Sequence, residues 1–184
     1  MRFSIIQVMV LFLFLFLAPG FHSLGQTTNV FVVRHAEKDM RDTANHNPPL
    51  SKEGEKRAKE LKKKMRDISL DAIFSTNTIR TESTAKPTVE SKKLTIQTYD
   101  ARNLKALAEL IKTKYAGKNV LVVGHSNTLL PTVQALGGIT IMSTVPDNVY
   151  DLLFKVSIDA SGKAEVMQEV YGKKTPAKGE ATMK

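Results

Sequence analysis

Four histidines occur among the 184 residues, and two of them stand where a buried strand would end. His35 follows residues 29–34 (NVFVVR), and His125 follows residues 119–124 (NVLVVG). Both runs are short, β-branched and nearly all apolar, the pattern of a strand buried on both faces. Arg34 directly precedes His35, and Arg80 lies shortly after a third such run, residues 72–76 (AIFST). Two histidines with two arginines suggest phosphoryl transfer. That reaction needs a nucleophile in line with the leaving oxygen, cations on the equatorial oxygens, and a proton donor for the leaving group. A neutral imidazole is a competent nucleophile near pH 7, since its unperturbed pKa is about 6.5. Arginine suits the clamp because its planar fork binds phosphate oxygens in pairs and stays charged. A zinc site is the competing reading. It would need a third ligand, such as Glu37 or Asp39, and no metal-binding motif is present. Arginines beside the ligands would also repel a cation, so the pattern favours phosphate. Of the remaining histidines, His22 lies in an N-terminal apolar segment and His46 in a polar loop beside Asn45 and Asn47.

These residues need a scaffold that brings strand ends together. Apolar runs and helical periods alternate along the chain. Ser51 has the type of an N-cap, with Glu53 and Glu55 in the first turn to complement the helix dipole. Gly54, Ala58, Leu61, Met65 and Ile68 then recur at spacings of four and three, one face of an amphipathic helix whose other face is lysine. A short helix is expected from residue 78 to about 86, before Pro87, and a strand over residues 94–98. Leu104, Leu107, Ala108, Ile111 and Tyr115 mark a further helical face that Gly117 ends. Another helix follows His125 to about Leu136, with Pro131 in its first turns. Residues 151–158 and 164–170 read as a hairpin about Ser161-Gly162. This alternation predicts one α/β domain of three layers, a mostly parallel central sheet flanked by helices. In such sheets the sites sit where strands end and helices begin.

Four blocks then carry a resemblance. Residues 34–38 (RHAEK) resemble the Arg-His-Gly signature of the histidine phosphatase superfamily, the phosphoglycerate-mutase-like group, with Ala36 in the Gly position. Residues 49–58 (PLSKEGEKRA) are similar to that family's helix start. Residues 74–85 (FSTNTIRTESTA) resemble the segment with its second arginine, and residues 122–128 (VVGHSNT) the segment with its second histidine. They occur in family order. The resemblance implies that His35 is the nucleophile that becomes phosphohistidine, that Arg34, Arg80 and His125 form the phosphate pocket, and that no metal or other cofactor is needed. It also implies an acidic proton donor between the second arginine and the second histidine. Asp100, directly after the third strand, is preferred over Glu109, which lies within the next helix. Lys38 is expected to add charge at the pocket mouth. The connections are shorter than in phosphoglycerate mutases, so the chain resembles the compact members. An uncovered site admits water, which favours hydrolysis over transfer to a second acceptor.

Composition narrows the setting. Arg2, an apolar run over residues 5–18 and the small-x-small triplet Ser23-Leu24-Gly25 describe a secretory signal peptide cleaved before Gln26. The run of 14 residues is shorter than the ~20 that span a bilayer. The expectation is therefore an exported protein, periplasmic or extracellular, with no stable membrane insertion after cleavage. Removing 25 of 184 residues leaves 159, enough for one domain with its own core. The expected divisions are a signal peptide over 1–25, the catalytic domain over 26–171 and a basic flexible tail over 172–184. Cysteine is absent, which excludes disulfides, thiolate metal sites and lipid attachment through cysteine. The net charge of +9 falls to +8 without Arg2. No tryptophan occurs, and no aromatic residues interleave with the basic ones, so a stacking surface for nucleic acid is not expected. The expected partner is a small phosphorylated substrate. Three alternatives keep the scaffold: a phosphohistidine-protein phosphatase, a phosphoglycerate-mutase-like enzyme, and a non-catalytic module that binds a phosphate ligand. The signal peptide argues against the first, and the intact His35 and His125 against the last.

Overall fold

The computed structural model describes residues 26–175. The expected signal peptide and most of the basic tail lie outside the described residues. The elements run β1 (Thr28–Arg34), α1 (Lys52–Lys64), β2 (Ala72–Ser75), α2 (Ile79–Lys92), β3 (Ile96–Thr98), α3 (Leu104–Lys114), β4 (Asn119–Gly124), α4 (Ser126–Ala135), β5 (Leu152–Ile158) and β6 (Ala164–Val170). The six strands form one sheet in the order β3-β2-β4-β1-β5-β6. Pairings among β1 to β4 are parallel, while β5 pairs antiparallel with both β1 and β6. The sheet is thus mixed, with a parallel half that carries the crossover helices and an antiparallel half made by the hairpin.

Successive strand residues point to opposite faces, so an apolar strand can feed two cores at once. On one face Val30, Val32, Phe74, Val122 and Phe154 pack with Leu107 and Ile111 of α3 and Leu129 and Val133 of α4. On the other face Phe31, Val33, Ile73, Leu121 and Val123 meet Leu61 of α1, Met65 just beyond it, and Ala85 of α2. Helices therefore cover both faces, and the layers number three. Register decides where the chemistry goes. Arg34 lies opposite Gly124, Ser75 opposite Val123, and Ser75 opposite Thr98. The carboxyl ends of β1, β2, β3 and β4 therefore share one edge.

Local signals explain the helix that begins there. The Ser51 side chain accepts from the Gly54 N–H at 3.1 Å, and Glu53 and Glu55 occupy the first turn of α1. Three expectations need correction. Helix α2 does not stop before Pro87 but continues to Lys92, ending at Lys93 with a left-handed φ of 54°. Burial of Thr84, Ala85 and Thr88 along one face carries it past the missing proline donor. Strand β3 starts at Ile96 rather than at residue 94. The tail expected from residue 172 is held at its start. Asp151 accepts from the Thr175 N–H and hydroxyl, both at 2.8 Å, and the buried Arg57 donates to the carbonyls of Tyr171 and Lys173.

Candidate active site

His35 follows β1 and is 4% exposed. Its Nδ1 lies 2.8 Å from the Ala36 carbonyl oxygen. A carbonyl only accepts, so Nδ1 carries the proton and Nε2 keeps its lone pair. Burial holds the His35 pKa down to about 3, with Arg34, Arg80 and His125 adding smaller depressions against the lift from the Ala36 hydrogen bond. The imidazole is neutral at pH 7. The arginines contribute to that neutrality, but loss of water is the main cause.

His125 stands across from it, with ring centroids 5.4 Å apart and planes at 68°. Its Nε2 is 2.9 Å from the Thr76 hydroxyl, and its Nδ1 is 3.5 Å from Arg80 Nη2. Guanidinium nitrogens only donate, so Nδ1 faces Arg80 with a lone pair and Nε2–H donates to Thr76. Burial, then Arg80 and Arg34, bring the His125 pKa down to about 4. Arg34 is close enough to both rings for its charge to act on them. Its Nη1 donates to the carbonyls of Pro146, Asp147 and Val149 at 3.2, 2.9 and 3.0 Å. Its Nε is buried without a hydrogen-bond partner among the described residues. Two histidines and two guanidinium groups, that of Arg34 with a buried donor unpaired among the described residues, converge at one edge of the sheet. Such a set can bind a tetrahedral oxyanion and present a lone pair to its centre.

The backbone around His35 is tied down on both sides. The Ala36 N–H donates to the Thr84 hydroxyl at 2.9 Å, and that hydroxyl donates to the Arg80 carbonyl at 2.7 Å. One threonine thus couples the nucleophile's loop to the turn that carries Arg80. Ala36 is fully buried against Leu50 and Ala58, so its methyl fits. Glu37 accepts from Arg57 through both oxygens, Oε1 from Nε and Nη2 at 2.9 and 2.7 Å and Oε2 from Nε at 3.0 Å. The Ser51 N–H donates to the Glu37 carbonyl at 2.9 Å. A Cβ on Gly54 would collide with that same carbonyl, which explains glycine in the first turn of α1.

Of the sequence-derived residues, Arg34, His35, Arg80 and His125 come together. Lys38 pairs across a short bridge with Leu50 and lines a cleft of about 200 Å³ with Asp39, His46, Pro48 and Arg80. Asp100 is engaged by its near neighbour Arg102. Its carboxylate bonds the Arg102 guanidinium and the Arg102 N–H, is half exposed, and is held below the usual carboxylate range by that arginine. A general acid must hold its proton at working pH, so Asp100 in this arrangement does not meet the expectation placed on it. Glu109 is exposed within α3. The alternative zinc ligands are engaged elsewhere, Glu37 with Arg57 and Asp39 with Arg41.

Sequence reasoning missed Thr76, Thr84 and Tyr150. Thr84 had a signal, since it falls four residues after Arg80 on one helix face. Thr76 ends the second apolar run as His35 and His125 follow theirs. Tyr150 had none, because only the fold brings residues 146–150 over Arg34.

Comparison with known proteins agrees with this geometry. The model of the histidine phosphatase superfamily (branch 1) matches residues 30–103. No curated protein matches. Among solved structures, the protein histidine phosphatase SixA complexed with tungstate is similar at a TM-score of 0.63 and 17% identity, over 77% of this chain and 96% of that one. A mycobacterial glucosyl-3-phosphoglycerate phosphatase is similar at 0.59 and 12%, over 79% and 98%. The phosphoglycerate mutase of Bacillus anthracis is similar at 0.58 and 16%, over 80% and 93%. With its family blocks in order on a phosphoglycerate-mutase-like sheet, the chain is similar to the histidine phosphatase superfamily over residues 30–103 and shares the fold of these solved structures.

Proposed function

We propose that this protein is an exported, metal-independent phosphatase that hydrolyses phosphomonoesters through a phosphohistidine on His35. The observation that carries the reading is the state of His35. It is buried and neutral, with Nδ1 committed to the Ala36 carbonyl and Nε2 unprotonated. In the first step the Nε2–P bond forms as the ester P–O bond breaks, and the leaving oxygen takes a proton from water at the open site. In the second step water attacks phosphorus, the N–P bond breaks, and inorganic phosphate leaves. Arg34 and Arg80 hold the equatorial oxygens throughout. A dianion seated among the arginines offsets the charges that depress the His125 pKa, so His125 can take a proton on Nδ1 and donate it as a hydrogen bond to the transferring oxygens.

The test is chemical trapping. A phosphoramidate is labile in acid, so the reaction is quenched in alkaline denaturant. Wild type is expected to carry phosphate on His35 during turnover. His35→Ala is expected to lose both the adduct and turnover, and still to bind tungstate through the arginines. His125→Ala is expected to slow formation and breakdown of the adduct by 10²-fold or more. Near wild-type hydrolysis by His35→Ala would refute the mechanism.

Likeness to SixA favours a second reading, in which the substrate is phosphohistidine on a protein. Parallel assays with a phosphohistidine-bearing protein and with sugar phosphates separate the two.

A further inference from the structure

We infer that Tyr150 is a positioning residue for the phosphate clamp, acting through Arg34; the inference rests on the phosphate-binding site proposed above. The Arg34 guanidinium carbon lies 4.1 Å from the centroid of the Tyr150 ring, within cation–π range. The ring is also 6.1 Å from the His35 ring, tilted by 55°. Tyr150 therefore touches the cation and flanks the nucleophile.

The donors of Arg34 divide into two groups. Nη1 has two hydrogens and faces three carbonyls of residues 146–149. That side of the fork is saturated by backbone. Among the described residues, Nε is buried and unpaired, and Nη2 has only the exposed Asp147 carboxylate, 4.0 Å away. The donors left for a ligand are thus Nε and Nη2, which lie along one edge of the guanidinium plane. Carbonyls at Nη1 fix one point of that plane but leave rotation about it. The Tyr150 ring against the face of the guanidinium removes that freedom. Paired donation to two oxygens requires the plane to be set, since a tilted fork reaches only one.

The same short segment supplies both restraints. Residues 146–149 give the carbonyls and the next residue gives the ring. Asp151 then anchors the segment, its carboxylate holding Thr175 and its carbonyl accepting from the Tyr171 N–H at 2.9 Å.

Tungstate affinity, read by calorimetry on the full protein, tests the role without requiring turnover. Tyr150→Leu is expected to weaken binding roughly five- to tenfold, the loss of one cation–π contact at a partly desolvated site. Tyr150→Phe keeps the ring and is expected to stay within about twofold. Tyr150→Gln is the second non-aromatic variant should Tyr150→Leu not fold, and thermal melts accompany each. In an Arg34→Ala background the Tyr150→Leu change is expected to cost nothing further. Unchanged affinity in Tyr150→Leu would overturn the inference. So would equal weakening in Tyr150→Phe, or an undiminished loss in the Arg34→Ala background. Wild-type protein that binds no tungstate would overturn the phosphate site itself, and this inference with it.

Discussion

At the scale of residues, the two histidines show how burial prepares chemistry. Each alone resembles a core histidine, and each is depressed first by loss of water and then by arginine charge. This has a consequence for stability. An unfolded histidine takes a proton near pH 6.5, whereas His35 and His125 resist protonation down to about 3 and 4. Between those values the unfolded chain binds more protons than the folded one, so stability rises with pH across the window. The stabilisation is complete above about pH 6.5 and is lost as pH falls toward 4 and then 3. Melting temperatures of wild type are expected to fall across that window more steeply than those of a His35→Ala, His125→Ala double variant. Equal slopes would count against neutral histidines in the folded site. The position of Asp100 is the counterexample at this scale. Its place after β3 was legible in the sequence, but its exposed pairing with Arg102 was not.

At the scale of elements, helix α1 was the most legible part of the chain. Ser51 caps it, the acidic first turn is where the dipole favours it, and Gly54, Ala58 and Leu61 are buried as their spacing requires. Gly54 has a second role that spacing could not show. Its missing side chain lets the first turn of α1 press on the Glu37 backbone, two residues beyond the nucleophile. Alanine in a helix interior is favoured over glycine by up to about 1 kcal/mol. Forcing atoms into a packed backbone costs about 1–3 kcal/mol. The clash is with a carbonyl rather than a flexible side chain, so the second effect wins. Gly54→Ala is expected to lower the melting temperature and to reduce kcat by displacing His35. A stabilised variant with full activity would show that the backbone can yield there. Helix α2 was less legible, because Pro87 reads as a stop until the buried face of Thr84, Ala85 and Thr88 is known.

At the scale of the whole molecule, sheet order makes the site. Strands β1 and β4 are neighbours although 84 residues separate Arg34 from the start of β4, and their parallel register sets Arg34 opposite Gly124. The hairpin β5-β6 then closes the edge beside β1 and brings residues 146–150 over Arg34. Export belongs to this scale too. The apolar run over residues 5–18 and the triplet at 23–25 motivate it. Protein recovered from outside the cytoplasm of its native host is expected to begin at Gln26 or within a residue or two. Retention of residues 1–25 in the intact mass would argue for an anchor instead.

By itself the sequence determined the local matters. Apolar runs specify strands, helical spacing specifies which faces are buried, and side chains such as Ser51 cap their own helices, because each depends on neighbours within a few residues. It also determined the chemistry available, since only four histidines and a pair of well-placed arginines could serve. Tertiary structure decided what depends on contacts between distant segments. The Thr76 partner of His125, the Thr84 bond to the Ala36 backbone and the Tyr150 ring against Arg34 all join residues 40 or more apart, and the burial of His35 needs the surrounding layers. Desolvation, which sets the pKa of both histidines, has no local sequence signature, because it arises only when the surrounding layers have packed.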